Sequence, residues 1–231
     1  IKEKLKPIYN LKQIPNWVYS NNDIKDAWKI DFNDSQWKKK INNNANIKYG
    51  SKKTEWIRQW INIPESIFNI NLIGSKVELS VVLAGEGEVF VNENLKVKAK
   101  YCIDKSIPIF DSLEESSKFL AAVKWKGTLH YSNIWVSNIE KVLFEIESFI
   151  NELKICCHVS NKNNFHNIIS AIKSLKKESL SNNDLPRFVE SIKNARYFLS
   201  PFYDKVKKYF IHCICHSHID MNWLWDWKDT L

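Results

Sequence analysis

Val77-Glu78-Leu79-Ser80-Val81-Val82-Leu83, continued through Ala84 by Gly85-Glu86-Gly87-Glu88-Val89-Phe90-Val91, is the stretch that decides the fold. Apolar and polar residues alternate along Val77 to Leu83. A strand places alternate side chains on opposite faces, so this pattern predicts a strand with one buried and one wetter side. Gly85-Glu86-Gly87 predicts a reversal or a bulge, because glycine tolerates backbone angles that other residues avoid. Glu88-Val89-Phe90-Val91 resumes the strand, Asn92-Glu93-Asn94 supplies a turn, and Leu95-Lys96-Val97 starts the next strand.

The same rhythm extends both ways. Upstream, Trp28-Lys29-Ile30-Asp31-Phe32 alternates and Asn33-Asp34-Ser35 reads as a turn before Trp37; Trp17 and Tyr19 are isolated anchors in a polar start. Thr54 to Ile63 reads as a strand closed by Pro64. Downstream, an aromatic strand runs through Val123-Lys124-Trp125 and, past Gly127, to Tyr131 and Trp135. Short strands with closely spaced turn signals predict an antiparallel sandwich.

After residue 138 the period changes. Ile139, Val142, Leu143, Ile146, Phe149, Ile150 and Leu153 recur at three- and four-residue steps, the stripe of an amphipathic helix. Phe165, Ile168, Ile169, Ile172 and Leu175 give a second stripe, with Asn161 to Asn164 as capping residues. Leu185, Phe188, Val189, Ile192 and Leu199 give a third, with Asp184 as N-cap and Pro186 in the first turn. Ser200-Pro201 predicts a break or kink before Tyr203 to Phe210. The apolar run Ile211 to Cys215 then reads as a buried strand, which needs neighbours on both sides. It is expected to be the first strand of a barrel or parallel sheet whose remainder is missing. The organisation so read is a β-sandwich over residues 1–138, a helical linker over 139–210, and the start of a truncated α/β catalytic domain over 211–231.

Composition bounds the function. With 231 residues and 44% hydrophobic content the chain can bury a core, and 5 Gly and 6 Pro exclude a fibrous or low-complexity protein. Ten Trp and twelve Phe point to an aromatic core first and to sugar-facing surfaces second. The net charge of +8 raises the question of nucleic acid. The lysines are scattered, however, and only Arg58, Arg187 and Arg196 offer planar forks, so a solvated basic surface and no nucleic-acid partner is the expectation. The five cysteines are an odd number, and Cys156-Cys157 and Cys213/Cys215 sit in apolar surroundings, which suggests reduced, buried thiols, not a disulfide framework. Neither a signal peptide nor a membrane-length apolar run is recognisable, so no membrane partner and a cytoplasmic location are expected.

Chemistry concentrates near the end. In extended chain His216, His218 and Asp220 share a face, and imidazole and carboxylate two positions apart can reach one zinc ion. Trp223, Trp225 and Trp227 follow at the same spacing. Cys156-Cys157-His158 and Cys213-Ile214-Cys215 lack the two-residue spacer of common zinc knuckles and read as packing residues. Asn33-Asp34-Ser35 matches a glycosylation sequon but reads as a turn.

His216-Ser217-His218-Ile219-Asp220-Met221-Asn222-Trp223-Leu224-Trp225 resembles the first catalytic-strand motif of glycoside hydrolase family 38, the zinc-dependent α-mannosidases, above all their long cytosolic and bacterial branch. The order of parts is similar too. Asp31-Phe32-Asn33-Asp34-Ser35-Gln36-Trp37, Trp56-Ile57-Arg58 and Val89-Phe90-Val91-Asn92 resemble a galactose-binding-type jelly roll of glycosidases. Cys215, Asn222 and Asp226 depart from the family's usual glycine, small residue and proline. The resemblance implies a retaining α-mannosidase acting on mannose-containing oligosaccharides, with zinc held by His218 and Asp220 and Trp223 lining the cleaved-mannose subsite. His216 is then a supporting residue. The nucleophile and the acid, about 5–5.5 Å apart in a retaining pair, are expected beyond Leu231. A homo-oligomer is possible for the full-length enzyme, and the fragment alone is expected to be inactive. The alternative from the residues themselves is a free-standing carbohydrate-binding sandwich module.

Overall fold

The computed structural model describes residues 17–40 and 53–208. The order is β1 (Trp17–Ser20), β2 (Lys38–Lys40), β3 (Glu55–Ile63), β4 (Ser66–Ile67), β5 (Ile70–Asn71), β6 (Val77–Val91), β7 (Asn94–Ala99), β8 (Cys102–Phe110) and β9 (Ser117–Val136). Helices α1 (Ser137–Val159), α2 (Phe165–Ser174), α3 (Lys177–Ser181) and α4 (Leu185–Val206) follow.

The β part is a seven-stranded antiparallel sheet in the order β2-β1-β3-β9-β6-β7, with β8 also paired to β6, and a separate two-stranded hairpin of β4 and β5. Two long strands make it a curled sheet. β6 pairs with β9 along its whole length, from Val77 opposite Val136 to Val91 opposite Ala121. The first half of β6 pairs with β8 and the second half with β7, while the first half of β9 pairs with β3. One buried cluster joins residues from both halves: Leu79, Leu83, Ile107 and Ile134 with Ile57, Val89, Phe119 and Trp125. The sandwich is thus a single sheet curled over its own core, its strands passing between halves as they do at sandwich corners.

Gly85-Glu86-Gly87 is therefore no reversal, because β6 runs straight through it. The register irregularity lies earlier, between Val82 and Leu83. Gly85 pairs with Gly127, at φ 123° and 134°. A Cβ on Gly85 would sit 2.2 Å from the Lys126 carbonyl oxygen, and one on Gly127 2.3 Å from that of Ala84. Only two glycines let the backbones approach so closely at this pair. The Asn92-Glu93 turn is as expected: both residues have positive φ, 44° and 67°, the geometry of a two-residue hairpin loop.

Trp28 to Phe32 is not a strand; residues 21–37 form turns and bends laid over the sheet. β8 carries weak alternation, with only Ile103 and Ile107 buried, so no period of two marks it in the sequence. Helices start at Ser137. Asp184 caps α4 by accepting from the Arg187 amide at 3.1 Å, with Pro186 in the first turn. Ser200-Pro201 does not break α4. Proline removes the amide that would have bonded the carbonyl four residues back, and the Ser200 hydroxyl donates to that Tyr197 carbonyl at 2.9 Å instead.

Ile146, Phe149, Ile168, Phe188, Ile192 and Leu199 carry the sheet's core on into the helices. Arg196 fastens α4 to α1 by donating to Glu152 at 3.0 Å and to Glu145 at 2.8 Å. The β4–β5 turn bonds the helical part through the Phe68 carbonyl, which accepts from the Leu185 amide at 3.2 Å. Asn138 reaches the Asn71 carbonyl at 2.9 Å. No helix is long and apolar enough to cross a membrane, among the described residues.

The cysteine reading needs correction. Cys102, Cys156 and Cys157 are free thiols, but only Cys156 is buried. Successive helical residues point about 100° apart, so two neighbours on α1 cannot share one buried face.

Candidate functional site

Two faces of the sheet are covered, and the second is where chemistry gathers. Along β3 the odd residues Ile57, Ile61 and Ile63 join the main core, while Trp56 and Arg58 point the other way. Phe90 on β6 and Ala122 on β9 lie with them, so the outer face carries its own small cluster of Ala27, Trp56, Phe90 and Ala122. Ile24, Trp28, Phe32 and Trp37 of the covering segment pack against it. Trp28 stacks on Phe90 with centroids 5.8 Å apart and planes 14° from parallel. Trp56 stacks on the same ring at 6.0 Å.

Arg58 pins the cover down. Its side chain is 1% exposed and donates to the Lys29 carbonyl at 2.9 Å and the Phe32 carbonyl at 3.1 Å. Asp34 stands 3.5 Å from its Nε, and the guanidinium lies 5.0 Å over the Phe32 ring. Burial pushes the Arg58 pKa down, opposed by the Asp34 and Asp31 carboxylates. Arg58 is thus an internal strut and not a phosphate fork, and Arg196 is likewise occupied. At the far end Glu93 accepts from the Ile30 amide at 2.6 Å.

Between the start of the cover and the sheet lies a hollow of about 370 Å³. Its aromatic wall is Trp28, Trp56 and Phe90; Asp23, Asp26 and Glu88 supply acceptors, Lys25 and Lys124 donors. A second hollow of about 320 Å³ shares Asp23, Glu88 and Lys124 and extends the trough past Thr54 to Glu86, Lys98 and Lys126. Lys124 joins the parts: its ammonium is 2.9 Å from Asp23 and 5.6 Å from the Trp56 ring centre. The hydrogen bond from Lys124 holds the Asp23 carboxyl below its usual range. The Trp56 indole N–H lies close enough to Asp23 to help lower it, yet it is buried without a well-formed hydrogen bond. Glu88 is paired with Lys98 at 2.6 Å.

The residues singled out from the sequence for chemistry fall elsewhere. His216, His218, Asp220 and Trp223 lie outside the described residues, as do the strand expected over 211–215 and the start of the α/β barrel. Among the described residues no group of three or more His, Cys, Asp or Glu side chains is placed to hold a metal. Asp23, Glu88 and Lys124 carry no signal in the sequence, being single charges on ordinary surfaces until the cover folds over them. The one signal is Arg58, a charge in the middle of a strand between Trp56 and Trp60.

No protein family model matches the chain. No curated protein matches it. Among solved structures it is similar to a glycosyl hydrolase family 2 member from Bacteroides cellulosilyticus, at TM-score 0.43 and 17% identity over 55% of this chain and 20% of that one. A β-glycosidase from Bacteroides vulgatus gives 0.39 and 21% over 54% and 20%. The β-glucuronidase of Bacteroides uniformis gives 0.42 and 14% over 54% and 17%. The chain spans 17% to 20% of the length of these three proteins. They are glycoside hydrolases, none described as a family 38 α-mannosidase, and a likeness of this grade carries no activity to this chain.

Proposed function

We propose that this chain is the N-terminal part of a zinc-dependent retaining α-mannosidase that hydrolyses terminal α-mannosides of oligosaccharides or glycans. The observation that carries the reading is His218-Ile219-Asp220 with Trp223, at the end of a chain whose parts run sandwich, helices, motif. Imidazole nitrogen and carboxylate oxygen are both zinc ligand types, so these two donors fit as half of a four-coordinate set whose other ligands would come from later strands. His218 and Asp220 would hold the ion, and Trp223 would offer an apolar face to the mannose ring. A zinc ion so held would supply Lewis-acid and orienting chemistry toward the sugar. The curled sandwich serves in this reading as an ancillary domain.

The test uses the full-length gene product loaded with zinc. It should hydrolyse an aryl α-mannoside with retention, whereas the 231-residue chain should not. His218→Ala in the full-length protein should remove both bound zinc and activity. Retention of both would overturn the assignment.

A second reading, a carbohydrate-binding sandwich without catalysis, is favoured by the trough on the outer face.

A further inference from the structure

We propose that the trough between residues 23–28 and the outer face of β3, β6 and β9 is a binding site for a neutral saccharide of two or more rings. Its charge balance points there first. The chain carries a net charge of +8, yet the trough is lined by four carboxylates and four ammonium groups. Such a lining selects neither an anion nor a cation. It suits a neutral ligand that donates and accepts hydrogen bonds at closely spaced points, which is the chemistry of vicinal hydroxyls.

The aromatic wall adds the second requirement. Trp28, half-buried and backed by Phe90, offers ring surface beside the charged groups, the combination of apolar wall and few polar contacts that small-ligand sites show. The Trp56 indole stands on the wall of the hollow beside Asp23, so its resonance reports on what enters. Two adjoining hollows of about 370 and 320 Å³ that share Asp23, Glu88 and Lys124 give room for successive rings. A peptide is disfavoured because the trough crosses a sheet face, where no free strand edge offers backbone pairing.

The inference does not rest on the α-mannosidase reading, and the test separates the two. The full 231-residue chain is titrated with α-1,2-mannobiose, cellobiose and lactose by calorimetry, while the Trp56 indole resonance is followed by NMR. At least one disaccharide should bind and shift that resonance. Asp23→Asn keeps shape but removes an acceptor charge, and should weaken binding at least threefold; Trp28→Ala should weaken it at least tenfold. Because Trp28→Ala also removes packing, Asp23→Asn is decisive should that variant unfold. Absence of heat and of any indole shift at about 10 mM of every sugar, ten times a 1 mM dissociation constant, would overturn the proposal. So would binding unchanged by Asp23→Asn. Saccharide binding together with a full-length protein inactive on mannosides would uphold this site and remove only the enzymatic assignment.

Discussion

Replacing Arg58 by alanine should detach the cover from the sheet, and the cost can be worked from the contacts. The guanidinium makes two short charge-assisted hydrogen bonds, to the carbonyls of Lys29 and Phe32. Each such bond contributes about 1.5–3 kcal/mol net. The Phe32 ring adds a cation–π contact of about 0.5–2 kcal/mol. The freed carbonyls can recover water as the half-exposed cover lifts, so the sum is discounted to about 3–4 kcal/mol, in line with breaking a buried charged contact. At this chain length about 1 kcal/mol corresponds to 2–4 °C, so the midpoint should fall by about 10 °C. Arg58→Met keeps the stem volume but leaves the same carbonyls unserved, so it should still cost about 2 kcal/mol.

Urea unfolding gives the free energy, and limited proteolysis gives the local effect. Cleavage within residues 21–37 should accelerate more than cleavage elsewhere in the described chain. An Arg58→Ala variant within about 0.5 kcal/mol of the parent, the ordinary range for surface changes, would refute the strut. Equal acceleration at every site would show a general loss of stability instead of a lifted cover.

Gly85→Ala should destabilise by at least about 2 kcal/mol, since both positive φ and a 2.2 Å approach to the Lys126 carbonyl oppose a Cβ; denaturant unfolding measures it. Alkylation followed by peptide mapping should label Cys157 and Cys102 promptly and Cys156 only on unfolding, because burial removes access to Cys156 and pushes its pKa up. The Asp23 carboxyl is held low by Lys124, so its contribution to stability is present above the ordinary value of 3.8 and is lost as pH falls through the lower folded value. Asp23 is largely exposed, so the effect is small; NMR titration should find its pKa below 3.8 and Lys124→Met should raise it.

Much of this fold lay in local pattern. Val77 to Leu83 alternates because one face of β6 meets the core and the other does not, and Ile57, Ile61 and Ile63 follow the same rule on β3. The stripes of α1 and α4 and the Asp184 cap were legible because they depend on neighbours within one or two turns, whereas Phe165, Ile169 and Ile172 of the α2 stripe are exposed. Pro201 does not end α4, and the carbonyl it leaves without an amide is served by a single hydroxyl, that of Ser200. Trp28 to Phe32 misled because its alternation arises from docking aromatic side chains onto a sheet, with no ladder partner of its own.

The candidate site divides the same way. The proposed zinc ligands are a chain-local motif: two donors at fixed spacing, readable without any fold. The trough could not be read, because Asp23, Glu88 and Lys124 stand far apart in sequence and meet only when residues 21–37 fold across the outer face. By itself the sequence determined β3, β6, β7 and β9, the helices and the aromatic reserve, since burial on one side imposes a period of two or of about 3.6 on a chain. Only the tertiary structure decided that β6 passes Gly85 without turning, that one sheet curls over its own core, and that Arg58 is buried beneath the cover on the outer face. Each of these rests on backbones or charges brought together from distant positions, where a partner and not a period fixes the outcome.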